Sequence, residues 1–260
     1  MTPEVSRAAI RFSGIPHSPK PPTARLDPEQ MSFTASSALP TILLIKSRDL
    51  QVNTKLTFYV CKTILMVDLD VNPQNIAFFL DRDGTVNKDV GYLHKVEHFE
   101  LLPGSAAAIK MLNDRKYRVI LVTNQSGIGI GLYSFDDLHA VNHEMSRQLA
   151  LHGAHIDAIY ASPFHPDGTG QFKHPDHPDR KPNPGMLLRA IHDWDINPTL
   201  SWMIGDRSVD VQAGRRAGTH TCQVRSGIGG TTMDPDAELV ANDLYEAVGL
   251  ILGTSNVASI

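Results

Sequence analysis

The stretch FFLDRDGTVN, residues 78–87, decides the fold because it joins an apolar run to two aspartates at an abrupt break. The apolar run is typical of a strand buried on both faces, and the Gly-Thr pair ends it. Asp81 and Asp83 flank Arg82, and two like charges this close need a positive partner: Arg82, a metal ion, or a phosphate held through a metal. If the backbone stays extended, both carboxylates point the same way and suit Mg²⁺, although Asp-Gly is also a common turn signal.

Short apolar runs of strand type alternate with helical segments along the rest of the chain. We predict strands over 76–81, 117–124, 156–162, 200–206 and 220–226, and helices over 105–116, 134–153, 184–194 and 208–218. Ser134, with Asp137 three residues later, predicts the start of the long helix, and Gly153 predicts its end. The alternation predicts an α/β fold, a doubly wound, Rossmann-like parallel sheet with helices on both faces. Ligands of such sheets bind at the carboxyl ends of the strands, which places Asp81, Thr123 and Asp206 together.

Composition and the N-terminal quarter limit the choice of function. The chain has 260 residues, 42% of them hydrophobic, and a net charge of −4, so it has no basic footprint for nucleic acid. No apolar run reaches the length of a membrane span, and two distant cysteines favour a reducing cytoplasm, with a monomer as the default. Residues 1–72 are predicted to be a disordered or poorly organised extension, or the product of a start placed too early, with Met66 as the natural one. Residues 73–255 are predicted to form the folded α/β domain.

Three more polar motifs follow later predicted strands, and each has an ordinary alternative. TNQSGIGIG, residues 123–131, offers a hydroxyl, two amides and backbone N–H groups that can cradle a phosphate, or it is only a flexible loop. Arg180 and Lys181, held between prolines in RKPNP, supply fixed positive charge or form a solvated basic turn. Asp206 would complete a three-carboxylate metal site or cap a helix, and Asp210 could orient Lys181 or a metal-bound water.

The combined set resembles the haloacid dehalogenase-like phosphohydrolase superfamily, whose four motifs are matched by Asp81/Asp83, Thr123, Lys181 and Asp206/Asp210. FLDRDGTVN, DVGYLH at 89–94, TNQSGIG and RKPNPGM look more narrowly like the D-glycero-D-manno-heptose 1,7-bisphosphate phosphatase family, which has histidinol-phosphate phosphatases as close relatives. The resemblance covers about residues 76–250.

The resemblance implies a Mg²⁺-dependent phosphatase that acts through an aspartyl-phosphate. Asp81 would be the nucleophile and Asp83 the general acid and base, while Thr123 and Lys181 would bind the transferring group. The implied metal ligands are Asp81, Asp206 and, through its backbone carbonyl, Asp83. The implied contacts to the rest of the sugar phosphate are Arg82, Asp89, Gly91, Tyr92, Asn124, Gln125, Ser126 and Arg180, with Arg180 expected to lead recognition.

The chain departs from the family pattern at a structural zinc site. Many members carry Cys-x-His and Cys-x-Cys before the Arg-Lys pair, where this sequence has Ser162, Phe164, His177 and Asp179. The loss of the thiolates argues against structural Zn²⁺, although the remaining histidines of the loop could form a replacement site. The gaps between the motifs leave no room for a large cap domain, so the site should be open and suit a compact, polar substrate.

Three functions remain open from the sequence. The first is removal of the 7-phosphate from the heptose bisphosphate, and the second is hydrolysis of histidinol phosphate or another small phosphomonoester. The third is a catalytically inactive binding domain, which is disfavoured because Asp81, Asp83, Lys181 and Asp206 are all present.

Overall fold

The computed structural model describes residues 9–12, 72–228 and 232–254. Within these residues, seven strands form one sheet in the order β1-β4-β3-β2-β5-β6-β7, and every neighbouring pair is parallel. The strands are β1 (Ala9–Phe12), β2 (Ala77–Leu80), β3 (Arg118–Asn124), β4 (Ala158–Ser162), β5 (Trp202–Gly205), β6 (His220–Val224) and β7 (Leu239–Ala241). The predicted parallel α/β sheet is therefore confirmed.

Six α-helices are described: α1 (Ser105–Asp114), α2 (Ser126–Gly129), α3 (Phe135–Leu151), α4 (Gly185–Trp194), α5 (Ser208–Ala217) and α6 (Leu244–Ile251). The predicted start of α3 is confirmed, because Ser134 and Asp137 form a reciprocal capping box. Gly153 follows the end of α3 with φ of +68°, a left-handed conformation that glycine adopts at little cost.

The helices cover both faces of the sheet because successive strand residues point to opposite sides. Phe78 and Leu80 belong to the core cluster that also contains buried residues of α1, α3 and α6. Ala77 and Phe79 belong to a second cluster with buried residues of α4 and α5. Burial on both faces explains why β2 reads as an uninterrupted apolar run.

The central position of β2 creates the crevice in which a ligand is expected. From β2 the chain adds β3 and β4 on one side, and then β5, β6 and β7 on the other. The order reverses at β2, so the loops after β2, β3 and β5 separate at the carboxyl edge. Helices α1 and α3, which lie between these strands in sequence, contribute to the sheet core, and no large cap domain is present within the described residues.

The N-terminal quarter differs in part from the prediction. Residues 9–12 form edge strand β1, parallel to β4, where no organised structure was expected from the sequence. Residues 1–8 and 13–71 lie outside the described residues, so the extension and the alternative start at Met66 stay predictions. Strand β7 and helix α6 were also not predicted. Among the described helices, none combines the length and apolar character needed to cross a bilayer.

Candidate active site

Lys181 lies at the centre of the crevice and ties three elements together. Its ammonium donates to Asp81 Oδ1 at 2.6 Å and to the Val122 carbonyl at 2.8 Å, and it pairs with Asp210 Oδ1 at 2.7 Å. The residue is only 3% exposed. Burial alone would lower the pKa of Lys181, but Asp210 and Asp81 raise it above the ordinary value. The side chain therefore stays charged beside the first aspartate.

Three buried carboxylates form a group suited to a cation. Asp81, Asp206 and Asp210 each offer an oxygen, and these oxygens lie within 4.8 Å of one another. Burial, opposed by Lys181 and reinforced by the two other aspartates, raises the pKa of Asp81 to about 7. Negative charge is thus under-compensated here, which is the condition that a divalent cation relieves.

Two glycines make room for Asp206. A Cβ at Gly227 would lie 2.1 Å from Asp206 Oδ2, and one at Gly84 would lie 2.9 Å from the same atom. Gly84 also has φ of +88°, which favours glycine. The backbone therefore closes around this carboxylate, and neither position has space for a side chain. Together with the charge of the aspartate group, this cradle fits a metal ligand.

Asp83 faces the same cavity but is held apart from the carboxylate group. The N–H groups of Val86 and Asn87 donate to the Arg82 carbonyl, so the backbone turns after Asp81. The condition under which Asp81 and Asp83 would point the same way, an extended backbone through Asp83, is therefore not met. The Asp83 carboxylate accepts hydrogen bonds from Arg82, Asn87 and Gln125. Its side chain is outside the metal-type group, so only its backbone carbonyl stays a predicted ligand.

Arg82 does not contact the cavity. The residue is 0% exposed, and its guanidinium pairs with Asp83 at 2.9 Å and donates to Asn142 Oδ1 at 3.3 Å. Full burial corrects the prediction that Arg82 binds substrate: it neutralises and orients Asp83 from beneath. Arg82 is thus the positive partner of Asp83, whereas Lys181 is the positive partner of Asp81.

The crevice is a cavity of about 440 Å³ that collects most of the predicted site. The predicted residues on its wall are Asp81, Asp83, Asp89, Gly91, Tyr92, Thr123, Asn124, Gln125, Ser126, Arg180 and Lys181. Asp210, which was expected to support Lys181, also lines it, whereas Tyr133, His165, Arg207 and Val209 were not predicted. Of these four residues, Arg207 is the one that the sequence could have indicated, because it directly follows Asp206.

Several wall residues position their neighbours. Asn124 forms two hydrogen bonds of 3.0 Å with the backbone of Lys181, one to its carbonyl and one from its N–H. Arg180 donates to Ser126 Oγ at 2.6 Å and to the carbonyl of Phe164 at 2.9 Å. Residues at the end of β3 and directly after it therefore fix the position of the Arg-Lys pair. A fixed pair can bind an anion at a defined position.

The positions of the family zinc pattern lie at the end of strand β4 and in the loop between β4 and helix α4. Phe164 and His177 stack with ring centroids 3.3 Å apart, Asp179 pairs with Arg189 at 3.2 Å, and Ser162 is buried at the end of β4. His177 Nδ1 accepts the N–H of Asp179 at 3.1 Å. Stacking, a hydrogen bond and an ion pair therefore occupy Phe164, His177 and Asp179, whereas the buried Ser162 hydroxyl has no hydrogen-bond partner among the described residues. Whether Zn²⁺ binds stays a prediction.

Comparisons with known proteins agree with this geometry. A family model described as HAD-hydrolase-like matches residues 179–247. The chain is 40% identical over 173 residues, 66% of its length and 92% of the relative, to D-glycero-beta-D-manno-heptose-1,7-bisphosphate 7-phosphatase of Pasteurella multocida. It is 45% identical to D-glycero-alpha-D-manno-heptose-1,7-bisphosphate 7-phosphatase of Burkholderia mallei over 152 residues, which are 57% of this chain and 78% of the relative.

Structural similarity points to the same group. The crystal structure of D,D-heptose 1,7-bisphosphate phosphatase from B. bronchiseptica, complexed with magnesium and phosphate, has a TM-score of 0.63 and 32% identity. The match covers 69% of this chain and 99% of that one. The parallel sheet and the aspartates at its strand ends define a haloacid dehalogenase-like hydrolase. Within that class, the chain belongs to the D-glycero-D-manno-heptose 1,7-bisphosphate 7-phosphatase family.

Proposed function

We propose that this protein is a Mg²⁺-dependent phosphatase that removes the 7-phosphate from D-glycero-D-manno-heptose 1,7-bisphosphate. The observation that supports it most directly is the buried contact of Lys181 with Asp81, beside Asp206 and Asp210 and open to a polar cavity. This arrangement presents a nucleophilic carboxylate, positive charge and a metal-type group to one phosphate. The names of the relatives supply the substrate.

In the first step, an Asp81 carboxylate oxygen attacks phosphorus and forms an aspartyl-phosphate as the bond to the ester oxygen breaks. Asp83 donates a proton to that leaving oxygen, which departs as the sugar hydroxyl. Thr123 and Lys181 hold the phosphoryl oxygens in line. Asn124 keeps Lys181 in place through its two backbone hydrogen bonds.

In the second step, water attacks the aspartyl-phosphate, and Asp83 takes a proton from that water. The acyl-phosphate bond breaks, which releases inorganic phosphate and restores the Asp81 carboxylate. Asp81 and Asp206 would hold Mg²⁺ together with the Asp83 carbonyl, and the bound ion supplies positive charge against the phosphoryl oxygens. Asp210 is committed to Lys181 and to the Arg207 N–H at 3.0 Å, so we assign it a positioning role.

Substrate recognition is proposed for the outer wall of the cavity. Arg180, held by Ser126, is the leading contact for the part of the substrate that does not react. Asp89 is less free than expected, because it pairs with Arg207 at 2.7 Å and accepts the Gly91 N–H at 2.8 Å. We therefore propose that Asp89 shapes the loop that carries Tyr92.

A phosphate-release panel tests the function. Both anomers of the heptose bisphosphate, histidinol phosphate and glucose 6-phosphate are compared with Mg²⁺ and with EDTA. We expect the heptose bisphosphate to have the highest kcat/KM and EDTA to abolish turnover. Asp81→Asn should be inactive beside an active control, Asp114→Asn, at an exposed position of helix α1. If the heptose bisphosphate is hydrolysed no faster than glucose 6-phosphate, the substrate assignment is lost; faster histidinol phosphate would favour the second candidate from the sequence.

We also propose that residues 73–255 form the catalytic domain and that it acts as a cytoplasmic monomer. The core clusters of the described residues lie within 73–255, and β1 adds only an edge strand beside β4, which supports an independent domain. A truncated chain that starts at residue 73 should unfold cooperatively and retain kcat. Light scattering of the full chain should give the mass of one copy, and a dimer mass would contradict the proposal.

A further inference from the structure

Tyr133 lines the cavity, although no sequence motif pointed to it. Its hydroxyl donates to Gln125 Oε1 at 2.6 Å, and Gln125 in turn contacts Asp83 and Thr123. We propose that Tyr133 is a positioning residue that acts through Gln125 on both Asp83 and Thr123. This inference rests on the proposed phosphatase function and adds a residue to it.

The direction of each hydrogen bond follows from the chemistry of the groups. Gln125 Nε2 donates to Asp83 Oδ2 at 3.0 Å, and because an amide nitrogen can only donate, this bond fixes the orientation of the amide. The amide oxygen of Gln125 then faces Tyr133, which must donate. Burial raises the pKa of Tyr133 above its ordinary value, so the phenol keeps the proton that it donates.

The same amide nitrogen also donates to Thr123 Oγ1 at 2.9 Å. Because this bond uses the hydroxyl oxygen of Thr123 as an acceptor, the hydroxyl proton is left to donate toward the cavity. A phosphoryl oxygen is an acceptor, so Thr123 is presented in the useful orientation. One amide, oriented by Tyr133, therefore sets both the general acid and the phosphate-binding hydroxyl.

The surroundings of Tyr133 hold its ring in place. A Cβ at Gly127 would lie 2.0 Å from Tyr133 Cε1, so the ring packs directly on the backbone of the TNQSG loop. On another side, the ring stacks on His94 with centroids 5.6 Å apart and planes 5° apart. These contacts do not involve the hydroxyl. Removing that hydroxyl should therefore leave the ring where it is and release only Gln125.

Tyr133→Phe, matched by Tyr160→Phe, tests the inference. Tyr160 is another buried tyrosine whose hydroxyl donates to a carboxylate, Asp193 Oδ2 at 2.8 Å, but it does not line the cavity. Two substrates are compared: the heptose bisphosphate, whose alkoxide leaving group needs a proton, and 4-nitrophenyl phosphate, whose leaving group does not. For Tyr133→Phe we expect kcat on the heptose bisphosphate to fall about tenfold, the effect of one hydrogen bond.

The pattern across substrates separates positioning from simple structural damage. The kcat for 4-nitrophenyl phosphate should fall at least about threefold less, because the acid role of Asp83 matters less there. Tyr160→Phe should leave both kcat values unchanged. Equal losses on both substrates would overturn the action of Tyr133 on Asp83, and no loss on either would overturn its positioning role altogether.

A crystal structure of Tyr133→Phe gives a readout that does not depend on the identity of the substrate. We expect the Gln125 amide to turn away from Asp83 and Thr123 or to occupy more than one orientation. A Gln125 side chain that keeps both hydrogen bonds would overturn the inference even if the phosphatase function holds. Failure of the wild-type protein to hydrolyse the heptose bisphosphate, by contrast, would affect only the proposed function.

Discussion

Replacing Lys181 with methionine should destabilise the metal-free protein strongly. Methionine keeps much of the length of the side chain but removes the charge and all three contacts of the ammonium. Asp81 and Asp210 would then lose their buried positive partner, while Asp206 in the same group would keep only the half-exposed Arg207 at 3.8 Å. Some of that penalty is relieved by protonation of Asp81, whose pKa is already raised.

The size of the effect can be worked out from the burial of the pair. Lys181 and its partner Asp210 have side chains that are each 2% exposed, and breaking such a buried pair costs about 3–5 kcal/mol. Lys110 provides a matched control on helix α1. It pairs with Asp114 at the same 2.7 Å, but both side chains are about half exposed. Such surface pairs contribute about 0–1 kcal/mol.

Urea unfolding at neutral pH, in EDTA and in Mg²⁺, measures both variants. We expect Lys181→Met to lower the free energy of unfolding by about 3–5 kcal/mol in EDTA, and Lys110→Met by less than about 1 kcal/mol. Mg²⁺ should recover part of the loss in Lys181→Met, because it replaces some of the missing positive charge. Similar small losses for the two variants in EDTA would refute the reasoning that Lys181 is the principal counter-charge of the group.

Three further predictions concern the same site and the core. The raised pKa of Asp81 favours its protonated form in the folded state, so the free energy of unfolding of the metal-free protein should fall from about pH 4 to about pH 7. Urea unfolding of Asp81→Asn should not show this slope. Gly227→Ala displaces Asp206 and should raise the Mg²⁺ concentration for half-maximal activity at least about tenfold. Burial raises the pKa of the Cys222 thiol to about 12, so in a Cys61→Ser background Ellman's reagent should label it only after unfolding.

The sequence predicted the sheet because its strands are buried on both faces and therefore appear as continuous apolar runs. The predicted helix start at Ser134 was also local information, since the capping box lies within four consecutive residues. Strand β7 was missed because Leu239–Ala241 is too short for a periodic pattern, and β1 because its pairing with β4 joins residues far apart in sequence. Long-range pairing of that kind leaves no local signal.

The limits of the site prediction have a similar cause. Asp81, Lys181 and Asp206 could be placed together because the carboxyl ends of parallel strands converge. The directions of the Asp83 and Arg82 side chains could not be predicted, because they depend on the turn at Gly84 and on Asn142 from helix α3. Tyr133 acts through Gln125. No spacing rule in a single sequence predicts that the hydroxyl of a buried tyrosine donates to a particular amide.

The charge of the site explains why it should need a divalent rather than a monovalent cation. Three carboxylates and one ammonium leave a net charge of −2 when all are ionised (−3 + 1). The incoming phosphate is also an anion, so a site without a cation would repel its own substrate in a region of low dielectric. Arg207 lies 3.8 Å from Asp206, but its charge is matched by Asp89 at 2.7 Å. Arg180 donates to Ser126 and Phe164, and Arg82 pairs with Asp83, so neither neutralises the aspartate group. A cation of charge +2 brings the centre to neutrality and lets the phosphoryl group approach Asp81.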